Sequence, residues 1–588
     1  MEDVSEYESI LVADCGSTTT RAGLIDLVAG EFRLLASGET ATTVEVPWSR
    51  ISLGLREAIG QVGQLTGRVL LSGQGQPIVP ERDDGSGVDA LVATVNAAVP
   101  LRVAVVGLIG GLSVESLLKA ADCSYVVVQS VVARDGRTRN GDRQTSMAGL
   151  VRQTMGDRPD AILLGGGIEG GAVEAVLEAA RDVAAALTTS EEAGRVHVIY
   201  AGNREARTEV ARILGGCSNL HVVDNARPTL GEEDLGAVEA ELRDLYRESK
   251  MGRVPGFGEL KSWTSTPVIT TAEGLELVVR YLSRLYELDV LAVDVGSAAT
   301  HVTGVIDGLY GSTIRSRAGV GYSMGKLLER VGVERIIRWL PFEMEEERAQ
   351  NYLLNKALRP MTVPDTEEGL LLEQAAAREA ISLTLERAGE RWLGSGERSY
   401  EGQVPHADLI VGRGAVLSGA PRRGQAALIL LDAIQPTGVC ALALDHASLL
   451  PQLGALASLH DLAAAQAVAR DGLLKLGTVI APEGVGREGA VAVRLKIEYD
   501  DGQSLSVEVP YGSLEVVPLP TGRRAVVEMR PSSQFDVGLG RKGKGATTEL
   551  DGGALGIIVD ARGRPLFLPE GGEKRRAKIR DWTNELAL

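Results

Sequence analysis

The chain is poor in the residues that announce covalent or metal frameworks. Its four cysteines, Cys15, Cys123, Cys217 and Cys440, stand far apart with no C-x-x-C pair, so neither a disulfide scaffold nor a zinc site is expected. Six scattered histidines show no H-E-x-x-H spacing, which removes the usual zinc-hydrolase pattern. No apolar run reaches the roughly 18 residues of a membrane helix, and the acidic start, Met1 to Glu8, lacks the apolar centre of a secretion signal. A cytoplasmic protein without a membrane span is the expectation. Basic residues are also in deficit, 61 Lys and Arg against 79 Asp and Glu for a net charge of −18, so nonspecific binding to nucleic acid or to anionic membranes is disfavoured.

What the chain does have is a repeated turn. Leu11-Val12-Ala13-Asp14-Cys15-Gly16-Ser17-Thr18-Thr19-Thr20-Arg21 returns as Leu291-Ala292-Val293-Asp294-Val295-Gly296-Ser297-Ala298-Ala299-Thr300-His301. Each copy is an apolar strand ending in Asp, a Gly-Ser turn, and a second apolar strand. Such a turn can direct successive backbone N–H groups into one concavity, which suits phosphate oxygens, and the Asp can hold a hydrated Mg²⁺. Two facing copies would clamp one nucleotide. One copy alone would read as an ordinary hairpin; the repetition makes the argument.

At 588 residues several domains are expected. Around each turn the order is three strands, a helix and a further strand, as in a mixed sheet with helices on its faces. Between 102 and 223 short apolar strands alternate with helical patterns, the signature of parallel α/β units. The division expected is a first domain over 1–250, a linker over 251–269 and a second domain over 270–476. A small all-β domain over 477–570 and a charged tail over 571–588 would follow. Thr270-x-x-Glu273 is a capping box that opens a helix.

The order Ala13 to Thr18, Leu163 to Gly171, Ala201-Gly202-Asn203, Val223-Asp224-Asn225 and Val293 to Gly296 resembles the glutamate mutase accessory family called MutL or GlmL. That family lies within the actin, Hsp70 and sugar-kinase ATPase superfamily, and the resemblance covers about residues 8–470. It implies duplicated actin-like (ribonuclease H-like) ATPase domains and an accessory or reactivating role toward an adenosylcobalamin-dependent mutase. On this reading Gly16, Ser17, Thr18 and Thr19 cradle the phosphates of ATP, and Gly296, Ser297 and Ala298 close from the other side. Asp14 and Asp294 order the waters of Mg²⁺, Gly412 and Gly414 meet adenine and ribose, and Gly165, Gly166 and Gly167 add a third loop. Glu169 is the candidate base for an attacking water. The chain departs from the family pattern at Ser297 to His301 and at Arg413, which implies weak hydrolysis. A small-molecule kinase and a scaffold or filament subunit are the alternatives the same fold allows. Gly165-x-Gly167-x-x-Gly170 also fits a dinucleotide fingerprint but lacks the acid expected after the next strand, and Gly538-x-x-x-x-Gly543-Lys544 misses a P-loop because Gly545 replaces Ser or Thr.

Overall fold

The computed structural model describes residues 7–135, 147–156, 158–189, 194–393 and 406–586. The chain forms two compact units. One comprises Met1–Ala97, Pro255–Thr313 and Arg317–Leu588; the other comprises Ala98–Val254 with Ile314–Ser316.

The first unit is built on two related sheets. In the first sheet Ser9–Cys15 pairs antiparallel with Thr19–Val28, which pairs antiparallel with Glu31–Ala41. On its other side Ser9–Cys15 pairs parallel with Ala90–Val95, and that strand with Ile269–Thr270. The second sheet repeats this order with Val290–Val295 at its centre. Thr300–Ile306 and Leu309–Arg315 lie on one side, and Leu409–Arg413 and Gly438–Leu444, both parallel, on the other. The central strands are apolar on both faces because both are covered: every residue of Ser9–Cys15 and of Val290–Val295 is buried.

Each fifth strand feeds a helix, and the two helices cross between the sheets. Thr271–Tyr286 starts at the predicted capping box, with the Thr270 hydroxyl accepting from the Glu273 amide and Glu273 reaching back to Thr270. Its Leu275, Val278, Val279 and Leu282 share one buried cluster with Ile10, Val12, Val290, Ala292 and Leu453. Burial of side chains of this kind contributes about 1.5–3 kcal/mol each. The partner helix, Leu450–Leu456, comes so close that a Cβ on Gly274 would lie 2.2 Å from the Pro451 carbonyl oxygen, and one on Gly454 would lie 1.9 Å from that of Gly274. Only glycine fits at this crossing.

Two expected boundaries are corrected. The first half does not run unbroken to 250: its fourth strand is Ala90–Val95, and the chain leaves for the other unit before returning to add Ile269–Thr270. Met251–Arg253 and Phe257–Trp263 within the expected linker are helical. The small all-β part expected over 477–570 is there as an antiparallel sheet, but it does not take in every strand of that stretch. Leu474–Ala481, Gly556–Asp560 and Leu514–Val517 extend the second sheet, and only Val491–Tyr499, Ser504–Pro510, Arg524–Pro531 and Ala546–Asp551 form their own antiparallel sheet. The join is electrostatic as well as apolar. Asp432 accepts from Arg378 at 2.7 Å and from Arg562 at 2.6 Å, while Asp560 accepts from Arg562 and Arg564, all of them buried. The described part of the tail is the helix Gly572–Glu585, whose Ile579 and Trp582 enter the core of the second half.

The other unit is a five-stranded parallel sheet in the order Val126–Ala133, Leu101–Gly107, Ala161–Gly165, His197–Tyr200, Asn219–Val222. Numbered along the chain this is 2-1-3-4-5, the doubly wound arrangement that the alternation of strands and helices predicts.

Candidate functional site

The two turns are built alike down to their hydrogen bonds. The Gly16 amide donates to the Thr19 carbonyl at 2.9 Å, and the Gly296 amide to that of Ala299 at 2.9 Å. In each half the segment after the third strand then takes up the turn's carbonyls. Thr42 donates from its amide to Thr18 and from its hydroxyl to Gly16. In the second half Val320 donates to Gly296, and Gly321 and Ser323 to Ser297, with the Ser323 hydroxyl on Ala298. A Cβ on Gly319 would lie 2.3 Å from the Ser297 carbonyl oxygen, so that loop lies flat on the turn. Among the described residues the amides of Ser17, Thr18, Ser297 and Ala298 have no acceptor within the chain.

Both turns open on one cleft of about 670 Å³ within this unit, a volume in the range of small-ligand sites. Of the residues expected to bind, Asp14, Gly16, Ser17, Thr18, Thr19, Asp294, Gly296, Ser297 and Gly414 line it. Gly414 has a φ of +106° and no room for a side chain, since a Cβ would lie 2.2 Å from the Val295 carbonyl oxygen. Gly412 and Ala298 are not in the lining. Gly412 faces Leu430, Leu444 and Leu417, so the missing side chain there serves packing.

The floor of the cleft holds the feature that the sequence left unresolved. Arg413, buried at the end of Leu409–Arg413, sends Nη2 to Asp14 Oδ2 at 3.1 Å, Nη1 to Asp294 Oδ2 at 2.5 Å and Nε to Asp445 Oδ2 at 3.1 Å. One guanidinium thus ties together the Asp residues of both turns. Burial opposes its charge, but Asp294, Asp14 and Asp445 together hold its pKa above the ordinary arginine value. Asp445 is itself pushed up by burial, against the pull of Arg413 and of the Leu449 and Leu450 amides.

The two Asp residues differ in what remains free. Asp14 Oδ1 accepts from the hydroxyls of Thr94 at 2.8 Å and Thr271 at 2.7 Å, so both of its oxygens are engaged. Among the described residues nothing donates to the buried Oδ1 of Asp294, nor to the buried Oδ1 of Asn96, which also lines the cleft. Asn96 follows Ala90–Val95, donates its amide to the Cys15 carbonyl and lies beside Gly16. Among the described residues no group of three or more His, Cys, Asp and Glu is placed to hold a metal directly. The residues therefore fit a cation that brings its own waters to Asp294 and Asn96, and do not fit one bridged directly between Asp14 and Asp294.

Gly165, Gly166, Gly167 and Glu169 belong to the other unit. Gly166 and Gly167 take positive φ at the carboxyl end of Ala161–Gly165 and border a cavity of about 170 Å³ with Leu108, Ile109, Leu112 and Ile168. Glu169 accepts from the Asn225 side chain at 2.9 Å and pairs with Arg204 at 3.0 Å, bonds that tie the loop. Thr94, Asn96, Thr271 and Asp445 are site residues that the sequence reading missed. Asn96 carried a signal, since it ends an apolar run as Asp14 does.

Duplicated sheets of this order, with paired turns over one cleft, define an actin-like, ribonuclease H-like α/β fold. The chain belongs to the MutL protein family, whose model matches residues 10–471. No curated protein matches. Among solved structures, nucleotide-free acetone carboxylase is 12% identical, with 86% of this chain and 82% of that one covered and a TM-score of 0.32. Component A of the (R)-2-hydroxyglutaryl-CoA dehydratase of Acidaminococcus fermentans is 9% identical, with 78% and 99% covered and a TM-score of 0.26. A glycerol dehydratase reactivase is 11% identical, with 72% and 94% covered and a TM-score of 0.27. The fold rests on the strand order. Among the described residues no helix is long and apolar enough to cross a membrane.

Proposed function

We propose that this MutL-family chain binds ATP with Mg²⁺ in the cleft between Gly16 and Gly296. It would act as an accessory factor on a protein partner, an adenosylcobalamin-dependent mutase such as glutamate mutase. The observation that carries the nucleotide half is the pair of turns, each with two unclaimed amides, opening on the same cleft. Free amides of this kind bind phosphate oxygens. The cleft is lined by Asp14, Glu39, Asp294, Asp365, Glu367 and Glu373 against Arg21, Lys356 and Arg413. Carboxylates outnumber cations two to one, so a bare triphosphate is bound more weakly than one whose charge Mg²⁺ partly neutralises. When bound, Mg²⁺ would neutralise phosphate charge over this floor.

Within this reading Gly16, Ser17, Thr18 and Thr19 hold phosphate from one side, Gly296 and Ser297 hold it from the other, and Gly414 borders the rest of the nucleotide. The partner half rests on family membership. Calorimetric titration of the full chain with ATP and ADP, with and without Mg²⁺, tests the first half. Absence of binding at millimolar nucleotide would end it. Copurification of a mutase with the tagged chain tests the second.

A further inference from the structure

We propose that the two turn carboxylates have divided their work. Asp294, together with Asn96, meets the waters of the nucleotide's divalent cation, and Asp14 is a clasp residue that holds the first turn to Arg413. This rests on the nucleotide reading above and assigns residues within that site.

The division follows from hydrogen-bond supply. A carboxylate that orders metal-bound water must accept from that water, and therefore needs a free lone pair directed at the ligand space. Asp14 has little to offer: Thr94 and Thr271 donate to Oδ1 and Arg413 donates to Oδ2. These donors come from the strand Ala90–Val95, from the start of the helix Thr271–Tyr286 and from Arg413 in the second half, so moving Asp14 toward a metal would break three bonds in a buried place. Asp294 spends only Oδ2 on Arg413 and leaves a buried Oδ1 without a donor. Leaving a buried acceptor unpaired costs about 1–3 kcal/mol. Asn96 repeats the pattern with an unpaired Oδ1 on the same cleft, next to Gly16. Two buried acceptors that no donor among the described residues reaches call for one from outside, and a hydrated cation supplies several. Asn96, being neutral, adds an acceptor without adding charge beside three carboxylates that already share one guanidinium.

The test titrates Mn²⁺ into the full chain saturated with ATP and reads free Mn²⁺ by electron paramagnetic resonance. Asn96→Leu, which removes the acceptor at similar size, is expected to weaken Mn²⁺ binding roughly tenfold or more, the worth of a bond to a charged group. The thermal midpoint should not fall, because the substitution removes a buried unpaired acceptor, and Asn96→Asp should restore the Mn²⁺ affinity. Asp14→Asn should lower the thermal midpoint while the folded fraction keeps its Mn²⁺ affinity within about threefold. Wild-type Mn²⁺ affinity in Asn96→Leu, or lost affinity in folded Asp14→Asn, would overturn the division while leaving nucleotide binding in place. If wild type binds no ATP at all, it is the parent reading that fails, and the assignment falls with it.

Discussion

Replacing Arg413 by Ala removes the one cation that, among the described residues, Asp14, Asp294 and Asp445 share. Breaking a buried ion pair from one side costs about 3–5 kcal/mol because a charge is left uncompensated, and here three carboxylates lose the same partner. At about 1.4 kcal/mol per power of ten, opening of this unit should become some two to three and a half powers of ten more frequent. Cys15 reports it: the thiol is fully buried next to Asp14, and burial pushes its pKa up, so only an opened molecule reacts. Labelling of Cys15 under native conditions, read by mass spectrometry of its peptide, should accelerate by that factor. Cys123 and Cys217, buried in the other unit, serve as internal controls. The pH dependence has a definite sign. Asp445, already pushed up by burial, loses the opposing pull of Arg413 and titrates above the unfolded value of about 3.9, so the folded variant binds more protons than the unfolded one. Its deficit should therefore shrink as pH falls from 7.5 to 5.5. Cys15 labelling within threefold of wild type at pH 7.5 would refute the clasp.

Three further outcomes follow from the same structure. Asp560 is held far below the ordinary carboxylate pKa by Arg562 and Arg564 despite complete burial. Its contribution is thus fully present above about pH 4 and lost only in stronger acid; Asp560→Asn should lower stability at pH 7 by about 3–5 kcal/mol in urea unfolding followed by tryptophan fluorescence. His197 is held below its ordinary pKa by burial and by His221, 2.9 Å away. Its unit should lose stability as pH falls from about 6.5, and His197→Gln should flatten that slope in thermal unfolding at pH 5 and 7.5. Gly414→Ala places a Cβ against the Val295 carbonyl at positive φ, costing about 1–3 kcal/mol for the backbone alone, and nucleotide affinity measured by calorimetry should fall with it.

Much of this architecture was legible because it is local. The two turns repeat residue by residue, the capping box at Thr270 starts the helix it predicts, and the alternation over 102–223 is a parallel sheet. What escaped the reading is non-local. Ile269–Thr270 is too short to show any periodicity, and its place is set by Ala90–Val95, far back in the chain. The strands over 477–570 read as one small β domain because their alternation is the same whether they form their own sheet, as four of them do, or extend the neighbouring one. Arg413 was visible as an added cation, but its three partners come from separate strand ends and loops, and only the folded sheets bring Asp14, Asp294 and Asp445 within its reach.

The late arrival of Ile269–Thr270 shapes how the molecule must be made. While a ribosome adding about 5–20 residues per second extends the chain from Val95 to Ile269, Ala90–Val95 has no neighbour on its outer side. Unpaired edges of that kind recruit other strands, so the newborn polypeptide passes through a window of about 9 to 35 seconds in which that edge is open to pairing with a neighbouring chain on the polysome.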